Sequence, residues 1–81
     1  MKNGELRQSA LGACDFLDVL EEAALYGTEV SVRLRTGERF VDVVLDVVTE
    51  GGENHVVFRG AGRRRVAEVE GVTRAGWPAG P

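Results

Sequence analysis

The first long apolar pattern along the chain has the period of an α-helix. Over residues 14–27, apolar side chains recur every three or four positions, so they gather on one side of a helical wheel. That side holds Phe16, Leu17, Val19, Leu20, Ala23 and Ala24. Asp18, Glu21 and Glu22 gather on the other side, with Leu25 among them. The pattern predicts one short amphipathic helix whose apolar face packs on the rest of the fold.

Both ends of this helix carry a sequence signal. We expect Asp15 to cap the start, because its carboxylate can accept the free N–H groups of the first turn. Asp18, three residues later, completes a pair similar to a capping box. Gly27 is expected to end the helix, because glycine tolerates the left-handed conformation found at many helix C-termini.

Beyond the helix the apolar period changes to two, as in β-strands. Residues 28–35 alternate, which predicts a half-buried strand, and Gly37 supplies the positive φ of a tight turn after it. Residues 39–49 are apolar on both parities, which is typical of a strongly bent barrel strand that serves two sheets. One face of this strand is expected to be filled by Val41, Val43, Leu45 and Val47.

Shorter segments complete the predicted fold. Residues 55–59 and 63–70 are expected as strands, with Val66 facing more toward solvent, and Val72 begins a last short strand. The result is a mainly β fold with one N-terminal α-helix, a small, partly open antiparallel barrel of the Sm-like or SH3-like kind. We expect this domain to span residues 13–75. Residues 1–12 are expected as a low-order N-terminal tail with at most one helical turn, and residues 76–81 as a C-terminal tail.

Length and composition agree with a single small domain. A chain of 81 residues has no room for a second core, and 43% hydrophobic with 28% charged residues is typical of a globular protein. No apolar run approaches the roughly 20 residues of a membrane span, and no signal peptide opens the chain. We therefore expect a cytoplasmic protein without a membrane partner. Its single cysteine cannot form an internal disulfide.

The distribution of charge along the chain says more about function than the net charge of −3 does. Residues 14–29 contain five acids and no base. One interpretation is a solvated helix face, and the other is a docking surface for a basic partner. The apolar Leu25 within the acidic stripe favours the second interpretation. The candidate partner-binding residues are Asp15, Asp18, Glu21, Glu22 and Leu25.

Side chains for catalysis or metal binding are scarce. His55 begins a predicted strand and is expected as a half-exposed cross-strand neighbour, while Cys14 is expected as a small packed residue rather than a reactive thiolate. Asp15 and Asp18 offer too few oxygens for a calcium site. We expect no enzymatic activity, no cofactor and no metal.

Arginines in two separate segments of the chain suggest a different function. Arg33, Arg35, Arg63 and Arg65 are alternative RNA-binding residues, because a basic strip on neighbouring strands can follow a phosphate backbone. Arg64 alternates with its two neighbours, so the three cannot face one way. The other interpretation is that these arginines pair across strands with acids of the fold, namely Asp42, Asp46, Glu68 and Glu70.

The helix and the first strands resemble the Rof family, the Rho-binding antiterminators of bacteria. The resemblance continues almost without gaps from Cys14 through Val56-Val57, and more loosely to Val69-Glu70 and Val72. The residues that carry it are Cys14-Asp15, Asp18, Leu20-Glu21, Ala23, Val30, Val32, Leu34, Gly37-Glu38, Asp46 and Val48.

The resemblance implies a non-enzymatic inhibitor that binds the Rho termination helicase and keeps RNA from its primary binding sites. It also implies an Sm-like fold with an N-terminal helix, in which the acidic helix region lies against basic surface of Rho. Asp15, Asp18 and Glu21 match that motif here, whereas Glu22 and Leu25 come from the helical wheel alone. We expect a monomer without specific nucleic-acid binding of its own. The chain departs from the family at residues 8–13, which replace a lead-in containing aromatic and proline residues.

Overall fold

A computed structural model describes residues 5–74, apart from the side chains of Ala10, Ala13 and Arg74. The expected tail at 76–81 lies outside the described residues. In chain order the elements are β1 (Leu6–Arg7), α1 (Gln8–Leu11), α2 (Ala13–Tyr26), β2 (Glu29–Leu34), β3 (Arg39–Glu50), β4 (Glu53–Phe58), β5 (Gly62–Arg65), a 3₁₀ turn (Val66–Glu68) and β6 (Val69–Arg74).

The strands form one antiparallel sheet in the order β1-β6-β2-β3-β4-β5. The sheet does not close, since β1 and β5 are its edges. The predicted class is therefore confirmed: a mainly β domain with a helix, arranged as a partly open barrel. None of the helices within residues 5–74 has the length and apolar character needed to cross a membrane.

The bend of β3 gives the sheet its curvature. Its first part pairs with β2 and its second part with β4. Val44 lies opposite Phe58 and Asp46 lies opposite Val57, so Leu45 is an extra residue in the ladder. Such a β-bulge bends a strand and increases its twist. The predicted bend of this strand is confirmed, but its two parts belong to one six-stranded sheet rather than to two sheets.

The predicted faces of β3 are partly wrong. Val41 and Leu45 were expected to be buried with Val43, but they are 62% and 54% exposed. In the first part of β3 the inward face belongs to the other parity, because Phe40 lies opposite the fully buried Val32. Leu45 is exposed at the bulge, where the regular alternation is interrupted.

The core lies between the curved sheet and α2. The helix contributes Phe16, Leu20 and Ala23, all fully buried, which confirms the predicted apolar face. The sheet contributes Val30, Val32, Leu34, Val44, Val56, Phe58, Val69 and Val72. The rings of Phe40 and Phe58 meet edge to face, with their centroids 5.3 Å apart. One face of α2 is thus fixed and the other is left to solvent.

The prediction for the C-terminal end of α2 is confirmed, whereas the prediction for its N-terminal end is wrong. Gly27 ends the helix with φ 67° and ψ 22°, and its N–H donates to the carbonyl oxygen of Ala23 over 3.0 Å, as predicted. The predicted cap by Asp15 and its pairing with Asp18 are wrong, because the helix begins at Ala13 and its N-cap is Gly12. Among residues 5–74, no side chain caps the N-terminus of α2 by a hydrogen bond. Asp15 lies inside the first turn, where a carboxylate is still favoured by the helix dipole.

Two other segments differ from the sequence-based expectation. Residues 6–11, expected within a low-order tail, form β1 and the single turn α1, and Leu6 and Arg7 pair with Val72 and Gly71 of β6. The continuous strand expected over residues 63–70 is interrupted by the 3₁₀ turn. This turn points Val66 into the core, where it is 5% exposed, instead of toward solvent.

Candidate functional site

The predicted partner-binding residues form one exposed surface on α2. We call Asp15, Asp18, Glu21, Glu22 and Leu25 the acidic face. All five side chains are exposed, and Leu25 is 78% exposed. The structure brings these residues together because positions three and four apart share a helix face, and because Phe16, Leu20 and Ala23 anchor the opposite side.

The four carboxylates of the acidic face have no partner in the part of the chain that the structure describes. None of them takes part in an ion pair or a side-chain hydrogen bond within residues 5–74. Glu29, just after the helix, is also exposed. The sequence predicted this outcome in one respect, since no base occurs between residues 14 and 29.

Crowding makes the acidic face unfavourable for the isolated protein. Asp15 and Asp18, and Asp18 and Glu21, are three residues apart, and Asp18 and Glu22 are four apart. Like charges at these spacings destabilise a helix by about 0.2–0.5 kcal/mol per pair, an amount that salt reduces. The dipole compensates this only near the N-terminus of α2. A basic partner would relieve the repulsion on binding.

The alternative RNA-binding arginines do not form the predicted strip. Arg33 and Arg35 are in or directly after β2, whereas Arg63 and Arg65 are on β5, and β3 and β4 lie between those strands in the sheet. Arg35 and Arg65 do line one open cleft of about 440 Å³, in which Arg33 and Arg63 take no part.

Each of these four arginines pairs with a carboxylate of the fold. The pairs are Arg33 with Glu5 at 2.8 Å, Arg35 with Glu70 at 2.9 Å, Arg63 with Glu50, and Arg65 with Glu68 at 3.2 Å and Glu53 at 3.7 Å. The interpretation that the arginines pair with acids of the fold is supported, with Glu68 and Glu70 as two of the expected partners. A guanidinium held by a carboxylate is less available to a phosphate.

Arg64 differs from its two neighbours. It lies opposite the buried Val56, so it is on the inward face of β5 while Arg63 and Arg65 are exposed on the other. It has no ion pair or side-chain hydrogen bond within the described part of the chain, and it lines the same open cleft as Arg35 and Arg65. The predicted alternation of these three arginines is confirmed.

Asp42 and Asp46 were expected to pair with arginines, and this expectation is wrong. Asp42 accepts hydrogen bonds from the backbone N–H groups of Gly60 at 2.9 Å and Ala61 at 2.7 Å, and from its neighbour Val43. Burial acts to raise the pKa of Asp42, but these N–H groups, with a smaller effect of Arg59, hold it below its ordinary value. Within residues 5–74, Asp46 accepts a hydrogen bond only from the N–H of its neighbour Val47. Asp42 therefore ties the β4–β5 turn to β3.

The two side chains considered for catalytic chemistry, His55 and Cys14, lie on different elements, β4 and α2. His55 is a cross-strand neighbour of Arg65, as expected, and its ring nitrogens lie 3.6 Å from Glu53 and 3.3 Å from Arg63. Cys14 is exposed rather than packed, because it lies on the first turn of α2 away from the core. Within residues 5–74 no group of three metal-ligating side chains comes together.

Sequence reasoning missed the side chains that fix the N-terminal segment. Glu5 forms an ion pair with Arg33. The Gln8 side-chain amide donates hydrogen bonds to the backbone carbonyl oxygens of Val66 and Val69. No local pattern could have shown these contacts, because Gln8 and Val69 are separated by 61 positions in the chain.

Comparison with protein families, with characterised proteins and with solved structures found no match to this chain. The resemblance to the Rof family therefore depends only on the sequence residues quoted for it.

Proposed function

We propose that this chain is a non-enzymatic inhibitor of Rho-dependent transcription termination. The acidic face of α2 binds basic RNA-binding surface on Rho and excludes RNA from it. The observation that carries this proposal is the separation of charges in the fold: the arginines at positions 33, 35, 63 and 65 are paired, while four carboxylates on one helix face are exposed and have no partner within residues 5–74.

The mechanism is competition between two anions for the same cations. Carboxylates replace phosphates as acceptors for arginine and lysine side chains, and such charge-assisted hydrogen bonds are stronger than neutral ones. A rigid helix presents the carboxylates in a fixed arrangement, so few rotatable groups must be ordered on binding. Charge complementarity also speeds the encounter of the two proteins.

Leu25 adds a contact that a nucleic acid backbone lacks. An apolar side chain that is 78% exposed beside four carboxylates can pack on aliphatic or aromatic surface of a protein partner. This contact is insensitive to salt, whereas attraction between exposed charges is screened over about 8 Å at 0.15 M salt. Binding is therefore weakened by added salt but keeps a salt-resistant part that Leu25→Ala removes.

Charge reversal on the acidic face tests the proposal directly. Binding of purified Rho is measured by biolayer interferometry for the wild type, for Asp18→Lys and for Asp18→Lys/Glu21→Lys. Glu38→Lys is the matched control, because Glu38 is also exposed, its carboxylate also has no partner in the described residues, and it lies in the turn after β2. Circular dichroism shows that each variant is folded.

We expect Asp18→Lys to weaken binding about tenfold and the double variant about a hundredfold or more, with Glu38→Lys close to the wild type. Equal binding by the wild type and the double variant would contradict the carboxylate mechanism. Binding of labelled RNA by the free protein at about 0.15 M salt, lost on Arg64→Ala, would instead favour an Sm-like RNA-binding module.

A further inference from the structure

The open cleft of about 440 Å³ is lined by two segments of the sheet and by no described residue of α2. One wall is the end of β2 with the turn after it, residues 34–38. The other wall is the end of β5 with the 3₁₀ turn, residues 64–68. The volume of this cleft falls within the roughly 300–1000 Å³ of sites that hold small molecules.

Hydrogen bonds hold the two walls in place. The Arg35 backbone N–H donates to the carbonyl oxygen of Glu68 at 2.9 Å, and the Arg35 Nε donates to that of Ala67 at 2.7 Å. Within the turn, the Leu34 N–H donates to the carbonyl oxygen of Glu38 at 2.8 Å. A ligand therefore meets walls that are already ordered, so less conformational freedom is lost on binding.

Arg64 is the arginine of this cleft whose charge is not compensated within residues 5–74. Its side chain is half-buried on the inward face of β5. Arg35 and Arg65 also line the cleft, but they are paired with Glu70 and Glu68. The planar guanidinium of Arg64 presents N–H donors in a fork that a carboxylate or a phosphate can accept. The cleft thus offers one cation to an anionic group.

Two carboxylates in the same cleft distinguish between these two kinds of anion. Glu68 is paired with Arg65, whereas the carboxylate of Glu38 has no partner in the described part of the chain. A phosphate dianion would be repelled by both acids. A ligand that carries an ammonium group as well as a carboxylate is attracted by Glu38 and by Arg64. One uncompensated charge of each sign therefore favours a zwitterion over a phosphate.

We propose that this cleft binds a small zwitterion of the amino acid class, with its carboxylate on Arg64 and its ammonium group on Glu38. The rest of the ligand lies on the exposed Ala67 and on the methylene groups of the arginine side chains, which favours an aliphatic body. Binding breaks no ion pair of the fold, because both charges are uncompensated beforehand. The site is independent of Rho binding, since the acidic face lies on α2.

Matched probes test which charges the cleft uses. Leucine carries both charges, isocaproate is leucine without the ammonium group, and isoamylamine is leucine without the carboxylate. Inorganic phosphate is the probe for a site that only collects anions. Each is titrated to about 10 mM into the isotopically labelled full-length protein at neutral pH and low salt, because salt screens exposed charges. The amide chemical shifts of residues 34–38 and 64–68 report affinity and location.

Three variants separate the contributions of the side chains. Arg64→Ala removes the carboxylate contact, and Glu38→Gln removes the ammonium contact at almost constant side-chain size. Arg63→Ala is the matched control, because Arg63 precedes Arg64 on β5 and is exposed on the opposite face. Circular dichroism shows that each variant is folded.

We expect the wild type to bind leucine about tenfold more tightly than isocaproate or isoamylamine, and phosphate more weakly than leucine. Arg64→Ala should lower the affinity for leucine about tenfold or more, and Glu38→Gln should bind leucine no more tightly than isocaproate. Arg63→Ala should bind leucine as the wild type does.

The wild type alone can overturn the proposal, so the test holds even where a variant does not fold. It is overturned if leucine gives no saturable shifts, if these lie outside the two walls, or if phosphate binds as tightly as leucine. Unchanged leucine binding by folded Arg64→Ala or Glu38→Gln would also overturn it, as would loss of leucine binding in folded Arg63→Ala.

Discussion

Asp42 and Asp46 lie four residues apart on β3, and their comparison tests how the barrel is held at its most curved point. Each accepts a hydrogen bond of 2.8 Å from the N–H of the next residue. Asp42 also accepts hydrogen bonds from the backbone N–H groups of Gly60 and Ala61, which are 18 and 19 residues away in the sequence. Asp42→Ala removes these long-range contacts, whereas Asp46→Ala removes a local one.

The expected cost follows from the groups that lose a partner. A hydrogen bond to a charged group contributes about 1.5–3 kcal/mol. The N–H of Gly60 is exposed and can bind water after the substitution, while that of Ala61 is partly buried and loses more. We therefore expect Asp42→Ala to lower the free energy of unfolding by about 2–3 kcal/mol and Asp46→Ala by less than about 0.5 kcal/mol. A loss of about 2 kcal/mol corresponds to a Tm lower by roughly 8–16 °C in a domain of this size.

Urea unfolding followed by circular dichroism measures both values. The slope m should be the same for the two variants, since neither changes the surface exposed on unfolding. The pKa of Asp42 is lowered in the fold, so its stabilising contribution is present above its unfolded pKa and is lost as pH falls through the lower folded value. The difference between wild type and Asp42→Ala should therefore shrink below about pH 4. Equal losses for Asp42→Ala and Asp46→Ala at pH 7 would refute this reasoning.

Other predictions concern the core, the C-terminal end of α2 and the ion pair between Glu5 and Arg33. Phe16→Ala should lower the free energy of unfolding by about 3–5 kcal/mol, because the ring is fully buried, and a loss below about 1 kcal/mol in urea unfolding would contradict that placement. Gly27→Ala should cost about 1–2 kcal/mol by the same assay, because φ is 67° and a side chain is strained there, and an unchanged stability would contradict the left-handed helix end. The hydrogen bond from Arg33 lowers the pKa of Glu5, so the stabilisation by this pair should be complete at neutral pH and be lost as pH falls below about 4. Glu5→Gln should flatten that part of the stability–pH curve, and a curve identical to that of the wild type would show that Glu5 does not titrate with folding.

The spacing of apolar residues along the chain predicted α2 and the bent strand β3. The helix was predicted because Phe16, Leu20 and Ala23 repeat at the spacing of one helical face, and burial of that face makes the other the exposed one. The bent strand was predicted because residues 39–49 are apolar on both parities. The exposure of the acidic face follows from the same reasoning.

Long-range side-chain contacts could not be predicted. Asp15 looked like a helix cap, but the N-cap of α2 is Gly12, three residues earlier, which follows the turn α1. Residues 5–11 have no apolar pattern, and their position depends on Glu5 and on Gln8, whose partners are 28 to 61 positions away. The acid that pairs with each arginine likewise depends on the order of the strands in the sheet, which places Arg33 and Arg63 on strands that are not neighbours.

The most direct test of the proposed function is competition for Rho. Labelled RNA bound to the primary sites of Rho is titrated with this protein at about 0.15 M salt, and fluorescence anisotropy and the mass of the complex are recorded together. We predict that the wild-type protein releases the RNA as it binds, and that Asp18→Lys/Glu21→Lys does not. A complex in which Rho holds the RNA and this protein at the same time would contradict the claim that the acidic face of α2 takes the place of RNA.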